Sequence, residues 1–97
     1  MRNARFHREA SEEIYRAGEY LEDQRPEYGD LFKAEIRSAF RELVIAPERW
    51  SVHMLGYRKY LTTRFKYLIW YRETEEEIFV IAVHHSSRKP AYWKDRI

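Results

Sequence analysis

The spacing of apolar residues changes along the chain and predicts the order of its elements. Residues 3–6, NARF, form a short candidate strand. Apolar residues then recur at helical spacing on one face: Ala10, Ile14, Ala17 and Leu21. This helix should stop before Pro26, because the residue before a proline avoids the helical region, and RPEYGD reads as a turn.

A second apolar stripe follows the turn and ends at Pro47. Its members are Phe32, Ile36, Ala39, Phe40 and Leu43. The helix that carries them begins either after a capping Asp30 or with Tyr28 and Gly29 in its first turn. Two helices joined by a short turn predict an antiparallel helical hairpin.

Beyond Pro47 the pattern is that of strands. Residues 57–63 alternate apolar and polar positions, residues 66–73 are almost continuously apolar, and residues 77–85 are β-branched and aromatic. Short connections between them predict an antiparallel meander. The predicted order is β-α-α-β-β-β, an α+β fold in which the helical hairpin packs on a small antiparallel sheet. Alternation places Tyr67, Ile69 and Tyr71 on one sheet face.

Length and composition bound the class of protein. Ninety-seven residues predict a single domain over residues 1–97, and 16% aromatic residues can supply its core. The chain has no cysteine, no signal-peptide layout and no apolar run long enough for a membrane span. We therefore expect a cytoplasmic protein with no membrane partner.

Charge is divided unevenly along the chain. Residues 1–50 hold nine Lys/Arg and eleven Asp/Glu, a net of −2, whereas residues 51–97 hold nine and five, a net of +4. An anionic partner is therefore expected to contact the second half. An ordinary difference in charge between halves is the alternative.

The stretch HHSSRKPAYWKDRI, residues 84–97, raises several chemical hypotheses. Neighbouring strand residues point to opposite faces, so His84 and His85 do not share a metal ion, and we expect no metal and no cofactor. Metal-free RNA cleavage needs a base, an acid and cations around the phosphorane. Residues of the right types are Lys59, Lys66, His84, His85 and Tyr92. The alternative is a basic sheet face with no catalysis.

Two further features have structural interpretations. Tyr92 and Trp93 follow Pro90, and at least one of the two rings is expected to fold back onto the sheet, while Arg96 can still be exposed and functional. Glu12 and Glu13 are expected on the outer face of the first helix, without a convincing partner.

Four stretches resemble one family. They are FHREASEEIYRAGEYLE, Phe32 with the following EI and its apolar run, YRKYLTTRFKYLIWY, and AVHHSSRKPAYWKDR. In this order and spacing they resemble the RelE/ParE toxin superfamily, whose members include plasmid-stabilisation proteins. The likeness covers almost the whole chain, and the His-Arg-Pro-Tyr-Trp-Arg ending is similar to the ParE branch.

The resemblance implies the toxin of a type II toxin–antitoxin system, silenced by a cognate antitoxin. ParE-like members inhibit DNA gyrase by binding, and RelE-like members cut mRNA on the ribosome, which is the alternative here. A third-strand arginine of RelE-type sites is replaced by Tyr67, and Ser86 and Ser87 stand where a catalytic cation would follow. We therefore expect a growth-inhibiting gyrase binder rather than an enzyme. An adaptor or orphan domain that has lost its toxicity is a third alternative. The expected target-binding residues are Arg58, Arg64, Arg88, Lys89, Tyr92, Trp93 and Arg96.

Overall fold

A computed structural model describes residues 2–97 and contains two helices and five strands in that range. The strands are β1 (Asn3–Phe6), β2 (Val52–Met54), β3 (Tyr57–Leu61), β4 (Tyr67–Glu73) and β5 (Glu77–His85). The helices are α1 (Arg8–Gln24) and α2 (Tyr28–Ile45). Two 3-10 helices, Pro47–Arg49 and Pro90–Arg96, complete the chain, and we call the latter the C-terminal segment.

The two helices form the predicted hairpin, and α2 begins at the earlier of the two predicted starts. Glu27 has a positive φ of 78° and ends the turn. The Glu22 carboxylate of α1 then accepts hydrogen bonds from the amides of Glu27 (3.1 Å) and Gly29 (3.0 Å). A carboxylate from α1 thus supplies the cap that α2 lacks at its own N-terminus.

The five strands form one sheet in the order β1-β5-β4-β3-β2. The predicted meander β3-β4-β5 is antiparallel, and the predicted fold class is confirmed. β1 joins β5 in parallel, which makes the whole sheet mixed, because the hairpin carries the chain across one face before it returns. The short β2 was not predicted and pairs with β3 at the opposite edge.

An irregularity in β5 decides which side chains reach each sheet face. The pairing shifts between Trp70–Ala82 and Tyr71–Val80, so Ile81 is an extra residue on β5. Tyr67, Ile69 and Tyr71 share one face as predicted. This face packs against the helices, and Ile78, Val80 and Val83 join them there. Tyr57, Trp70, Phe79, Ile81, Ala82 and Trp93 form a second core on the other face.

The C-terminal segment covers that second face. Trp93 is completely buried, with ring centroids 5.1 Å from Trp70 and 5.2 Å from Tyr57. The prediction that one C-terminal ring anchors the chain on the sheet is therefore confirmed. Both faces of the central strands are covered, which explains the almost continuous apolar run of β4.

Candidate functional site

Glu13 of α1 joins the helical hairpin to the C-terminal segment. Its carboxylate receives two hydrogen bonds from the Arg96 guanidinium (2.9 and 3.0 Å), one from the Val83 amide (3.0 Å) and one from the Tyr92 hydroxyl. Arg96 also donates to the Ile81 carbonyl at 3.0 Å. The side chains of Glu13 and Arg96 are only 11% and 13% exposed. The prediction that Glu13 lies on an outer face without a partner is therefore wrong.

The contacts of Glu13 set the protonation of this cluster. Burial alone would raise the pKa of the Glu13 carboxyl, but the hydrogen bonds from Arg96, Tyr92 and the Val83 amide outweigh it and lower the pKa. Burial and the acceptor at Glu13 both raise the pKa of Tyr92. Glu13 is therefore ionised at neutral pH, and the Tyr92 hydroxyl keeps its proton.

Arg88 stacks directly on Tyr92. Its guanidinium carbon lies 3.4 Å from the centre of the ring, and a guanidinium nitrogen lies 3.8 Å from Glu13. The Arg88 side chain is nevertheless 54% exposed. We call the exposed part of this region, Arg88, Lys89 and the half-buried Tyr92, the basic corner. A stacked guanidinium is held in place before any partner arrives.

His84 lies behind the basic corner and is fixed by two hydrogen bonds. Trp70 Nε1 donates to His84 Nε2 at 2.8 Å, so Nε2 carries no proton. The proton is then on Nδ1, which donates to the His85 carbonyl at 2.8 Å. Burial lowers the pKa of His84, in agreement with a neutral ring. His84 thus uses both ring nitrogens inside the fold.

His85 points to the opposite face from His84, as predicted. Its ring lies 5.4 Å from Tyr67 on the helix side, and the Ser87 amide donates to its Nδ1 at 3.1 Å. His85 belongs to a groove of about 280 Å³ between α1 and the ends of β4 and β5, which includes Arg16 and Arg88. The two rings therefore point to opposite faces, although both histidines are among the residues that border this groove.

The two lysines of the predicted catalytic set lie apart. Lys59 on β3 pairs with Trp70 of β4, and its ammonium lies 5.7 Å from that ring, on the same face as His84. Lys66 is exposed in the loop before β4, with a φ of +61°. The catalytic set of Lys59, Lys66, His84, His85 and Tyr92 is therefore distributed over both faces and a loop.

The predicted target-binding set is also divided by the fold. Arg58 is 21% exposed, contacts Glu73 at 2.6 Å and donates to the Trp50 carbonyl. Arg64 is exposed in the loop between β3 and β4, beside the rings of Tyr28 and Phe65.

Burial decides the role of two more members of that set. Arg96 is held by Glu13, and Trp93 has no exposed surface. Trp93 and most of Arg96 therefore act inside the fold, and a direct target contact by Trp93 is incompatible with this conformation. Arg88, Lys89 and Arg64 are the exposed members.

Residues 2–97 lack two further features, a metal-binding cluster and a membrane-spanning helix. This range contains no group of three or more His, Asp or Glu side chains placed to hold a metal ion. Within the same range, neither helix combines the length and apolar character that a membrane span needs.

The fold is an α+β domain in which a helical hairpin covers one face of a mixed sheet and the C-terminal segment covers the other. A family model described as "ParE toxin of type II toxin-antitoxin system, parDE" matches residues 4–90. The chain therefore belongs to the ParE toxin family of type II toxin–antitoxin systems, and the predicted resemblance is confirmed. Membership of this family implies a cognate antitoxin as partner.

Two curated relatives support the same assignment. The proteins named "Toxin ParE2" from Mycobacterium tuberculosis strains CDC 1551 / Oshkosh and ATCC 25618 / H37Rv are each 27% identical to this chain over 90 residues. The matched stretch is 92% of this chain and 86% of each relative. The similarity therefore extends through nearly the whole domain and includes the helical hairpin and the sheet.

Proposed function

We propose that this toxin arrests growth by binding DNA gyrase in the cytoplasm. The observation that carries this proposal is the state of His84. A general base must reach the proton that it removes, and His84 is 3% exposed with Trp70 and the main chain on its two nitrogens. The best-placed base of the ribonuclease alternative is thus engaged in holding the second core together.

The remaining proton-transfer groups favour the same choice. The Tyr92 hydroxyl donates to Glu13, and the raised pKa of Tyr92 opposes loss of its proton. His85 lies on the other side of the sheet and Lys66 lies in a loop. A metal-free ribonuclease needs its acid, base and cations around one phosphate, and this set does not surround a single point.

The basic corner suits a protein contact instead. Arginine and tyrosine are enriched among the residues that dominate protein interfaces, and Arg88 is already ordered on the Tyr92 ring. An ordered side chain loses less entropy on binding than a free one. Lys89 adds an exposed cation beside the pair.

Inhibition of supercoiling by purified gyrase tests the proposal. The Arg88→Ala/Lys89→Ala variant should weaken inhibition by about tenfold or more, whereas Lys33→Ala, which removes an exposed cation from α2, should match the wild type. His85→Ala and Lys66→Ala should also retain inhibition. Ribosome-bound mRNA cut by the wild type but not by one of these single variants, with supercoiling unaffected, would overturn the gyrase proposal.

We further infer where the antitoxin sits. A groove of about 610 Å³ runs between β1, an edge strand, and the C-terminal half of α2, with Ala4, Phe40, Val44 and Ile45 as apolar lining. Ile45 is 70% exposed. An edge strand beside an apolar groove can accept an added strand or an amphipathic helix.

Charge indicates the kind of segment that fits. Arg2, Arg37 and Arg41 line the same groove, which has no carboxylate among its lining residues. Neither Arg37 nor Arg41 forms an ion pair with any residue in the range 2–97. An antitoxin segment that carries both acidic and apolar side chains therefore complements this groove.

Co-purification with the product of the adjacent small gene tests the antitoxin site. Reversal of both free cations, Arg37→Glu/Arg41→Glu, should destabilise the complex, and the single reversal Lys33→Glu on the same helix should leave it intact. A pair that never co-elutes at micromolar concentration would contradict the antitoxin assignment. A complex that survives the double reversal would contradict this groove as its site.

A further inference from the structure

The turn between β2 and β3 contains a leucine in an unfavourable backbone conformation. Met54 pairs with Tyr57, so the turn has two central residues, Leu55 with φ +53° and Gly56 with φ +82°. Two-residue hairpin turns with both φ values positive favour Asn-Gly. A branched side chain such as leucine loses free energy at a positive φ, whereas asparagine tolerates it.

Nothing in the described fold compensates for this choice. The Leu55 side chain is 58% exposed, so packing against its own chain stabilises it little. An exposed turn with positive φ values favours a small polar residue, and Leu55 is neither small nor polar. Residues that depart from such backbone preferences concentrate at functional sites. The position therefore indicates a contact with another molecule.

The leucine borders a groove with an aromatic floor. This groove, about 510 Å³, is lined by Leu55, Arg5, Tyr57, Arg72 and Phe79, and Arg96 and Ile97 of the chain's last residues close one side. The guanidinium carbons of Arg5 and Arg72 lie 4.3 and 5.7 Å from the Phe79 ring centre. The groove is therefore lined by an apolar side chain, Leu55, by aromatic rings and by arginine side chains.

One cation of the groove has no carboxylate partner within the range 2–97. Arg5 pairs with Glu77 at 2.8 Å, and Arg96 pairs with Glu13 at 2.9 Å. Glu73, the acidic residue of the lining, is held by Arg58. Arg72 is exposed and makes no ion pair with described residues, so it is the cation of this groove that is most available to a partner.

We propose that Leu55 and the Arg72 groove form a second contact with the target protein, which presents a carboxylate to Arg72 and an apolar side chain to Leu55. This inference rests on the proposed binding mode of action. The occupant is the target because the groove adjoins the C-terminal segment, whose other end carries the basic corner. The antitoxin groove, in contrast, lies beside α2, and the two grooves meet only at β1, which contributes Ala4 to one and Arg5 to the other.

The test compares stability and inhibition in the same variants. Leu55→Asn should raise the melting temperature by about 4 °C, because it relieves the turn, and should weaken both gyrase inhibition and growth arrest by about tenfold. Arg72→Gln should weaken inhibition and reduce its dependence on salt. The control is Leu61→Asn, which replaces another exposed leucine, 48% exposed at the end of β3 and outside the groove, and should change neither inhibition nor growth arrest.

The outcomes separate the two proposals. A Leu55→Asn protein that is more stable and fully inhibitory would overturn the second contact. If Leu55→Asn or Arg72→Gln abolishes antitoxin binding but leaves growth arrest unchanged, the occupant of this groove is not the target, and that part of the proposal is overturned. A wild type that arrests growth without inhibiting gyrase would refute the gyrase proposal alone, and loss of growth arrest in Leu55→Asn would then still support the contact.

Discussion

Glu13→Gln is the substitution that most directly tests how the C-terminal segment is held. The change preserves size and one acceptor oxygen but removes the charge that faces Arg96. Arg96 would then be a cation at 13% exposure with only neutral acceptors, the Ile81 carbonyl and the remaining side-chain oxygen at position 13. Removal of one partner from a buried ion pair costs about 3–5 kcal/mol, because the other charge is left uncompensated.

The neighbouring residue offers a matched control. Glu12 pairs with Arg16 at 2.7 Å on the solvent side of the same helix, with side chains 51% and 67% exposed. Exposed pairs of this spacing contribute about 0.3–0.5 kcal/mol. Glu12→Gln should therefore leave the thermal midpoint almost unchanged, whereas Glu13→Gln should lower it by about 12 °C or more in a domain of this size.

Thermal unfolding followed by circular dichroism gives the midpoint, and hydrogen exchange of residues 91–97 locates the change. The double variant Glu13→Gln/Arg96→Met should recover part of the lost stability, because it removes the stranded charge as well. Equal midpoints for Glu13→Gln and Glu12→Gln would refute the role assigned to Glu13. So would unchanged exchange in residues 91–97.

Three further predictions follow from contacts inside the fold. Trp70→Phe should destabilise the protein by about 1–3 kcal/mol more than Trp93→Phe in urea titrations. The Trp70 substitution removes the N–H that donates to His84, whereas Trp93 Nε1 has no acceptor among described residues and its substitution removes no hydrogen bond. Gly29→Ala should cost about 1–3 kcal/mol, since a Cβ there would lie 2.9 Å from the Gly18 carbonyl, while Gly18→Ala meets ordinary contacts and should be tolerated. Burial lowers the pKa of His84 in the folded state. The neutral ring therefore stabilises the fold fully above the unfolded-state pKa of about 6.5, and this contribution is lost as the pH falls through the folded-state pKa. The free energies of unfolding of the wild type and of His84→Gln, measured as a function of pH, should converge as the pH falls.

The elements of this fold could be predicted because each long element has a clear period. The stripes of α1 and α2 and the apolar strands β4 and β5 are visible in the sequence. β2 was missed because it has three residues, two of them exposed, and exists through pairing with β3. Its signal lies in the partner strand and not in its own composition.

The placement of side chains on β5 could be predicted only in part. Strict alternation would place Ala82 with Ile78 and Val80, but the extra residue Ile81 moves Ala82 to the second core and brings Val83 to the helix side. A bulge depends on the partner strand, so periodicity along one strand does not reveal it.

The cluster around Glu13 could not be found from sequence because its contacts join distant parts of the chain. Glu13 meets Val83 across 70 residues and Arg96 across 83. The expected target-binding set contains five arginines and lysines, and the sequence does not distinguish the exposed ones from those that pair inside the fold. The fold assigns Arg58 and Arg96 to internal ion pairs and leaves Arg64, Arg88 and Lys89 exposed.

This division determines which experiments can identify the target surface. Deletion of residues 88–97 removes the basic corner, but it also removes Trp93 from the second core and Arg96 from Glu13, so loss of activity would follow from unfolding alone. Charge reversal at Arg96 would also unfold the protein, because it places two negative charges together at Glu13. Substitutions of Arg88, Lys89, Arg72 and Leu55 change exposed groups and leave both cores intact. If the toxin acts by binding, these four positions should separate activity from stability, and Glu13 should change both together.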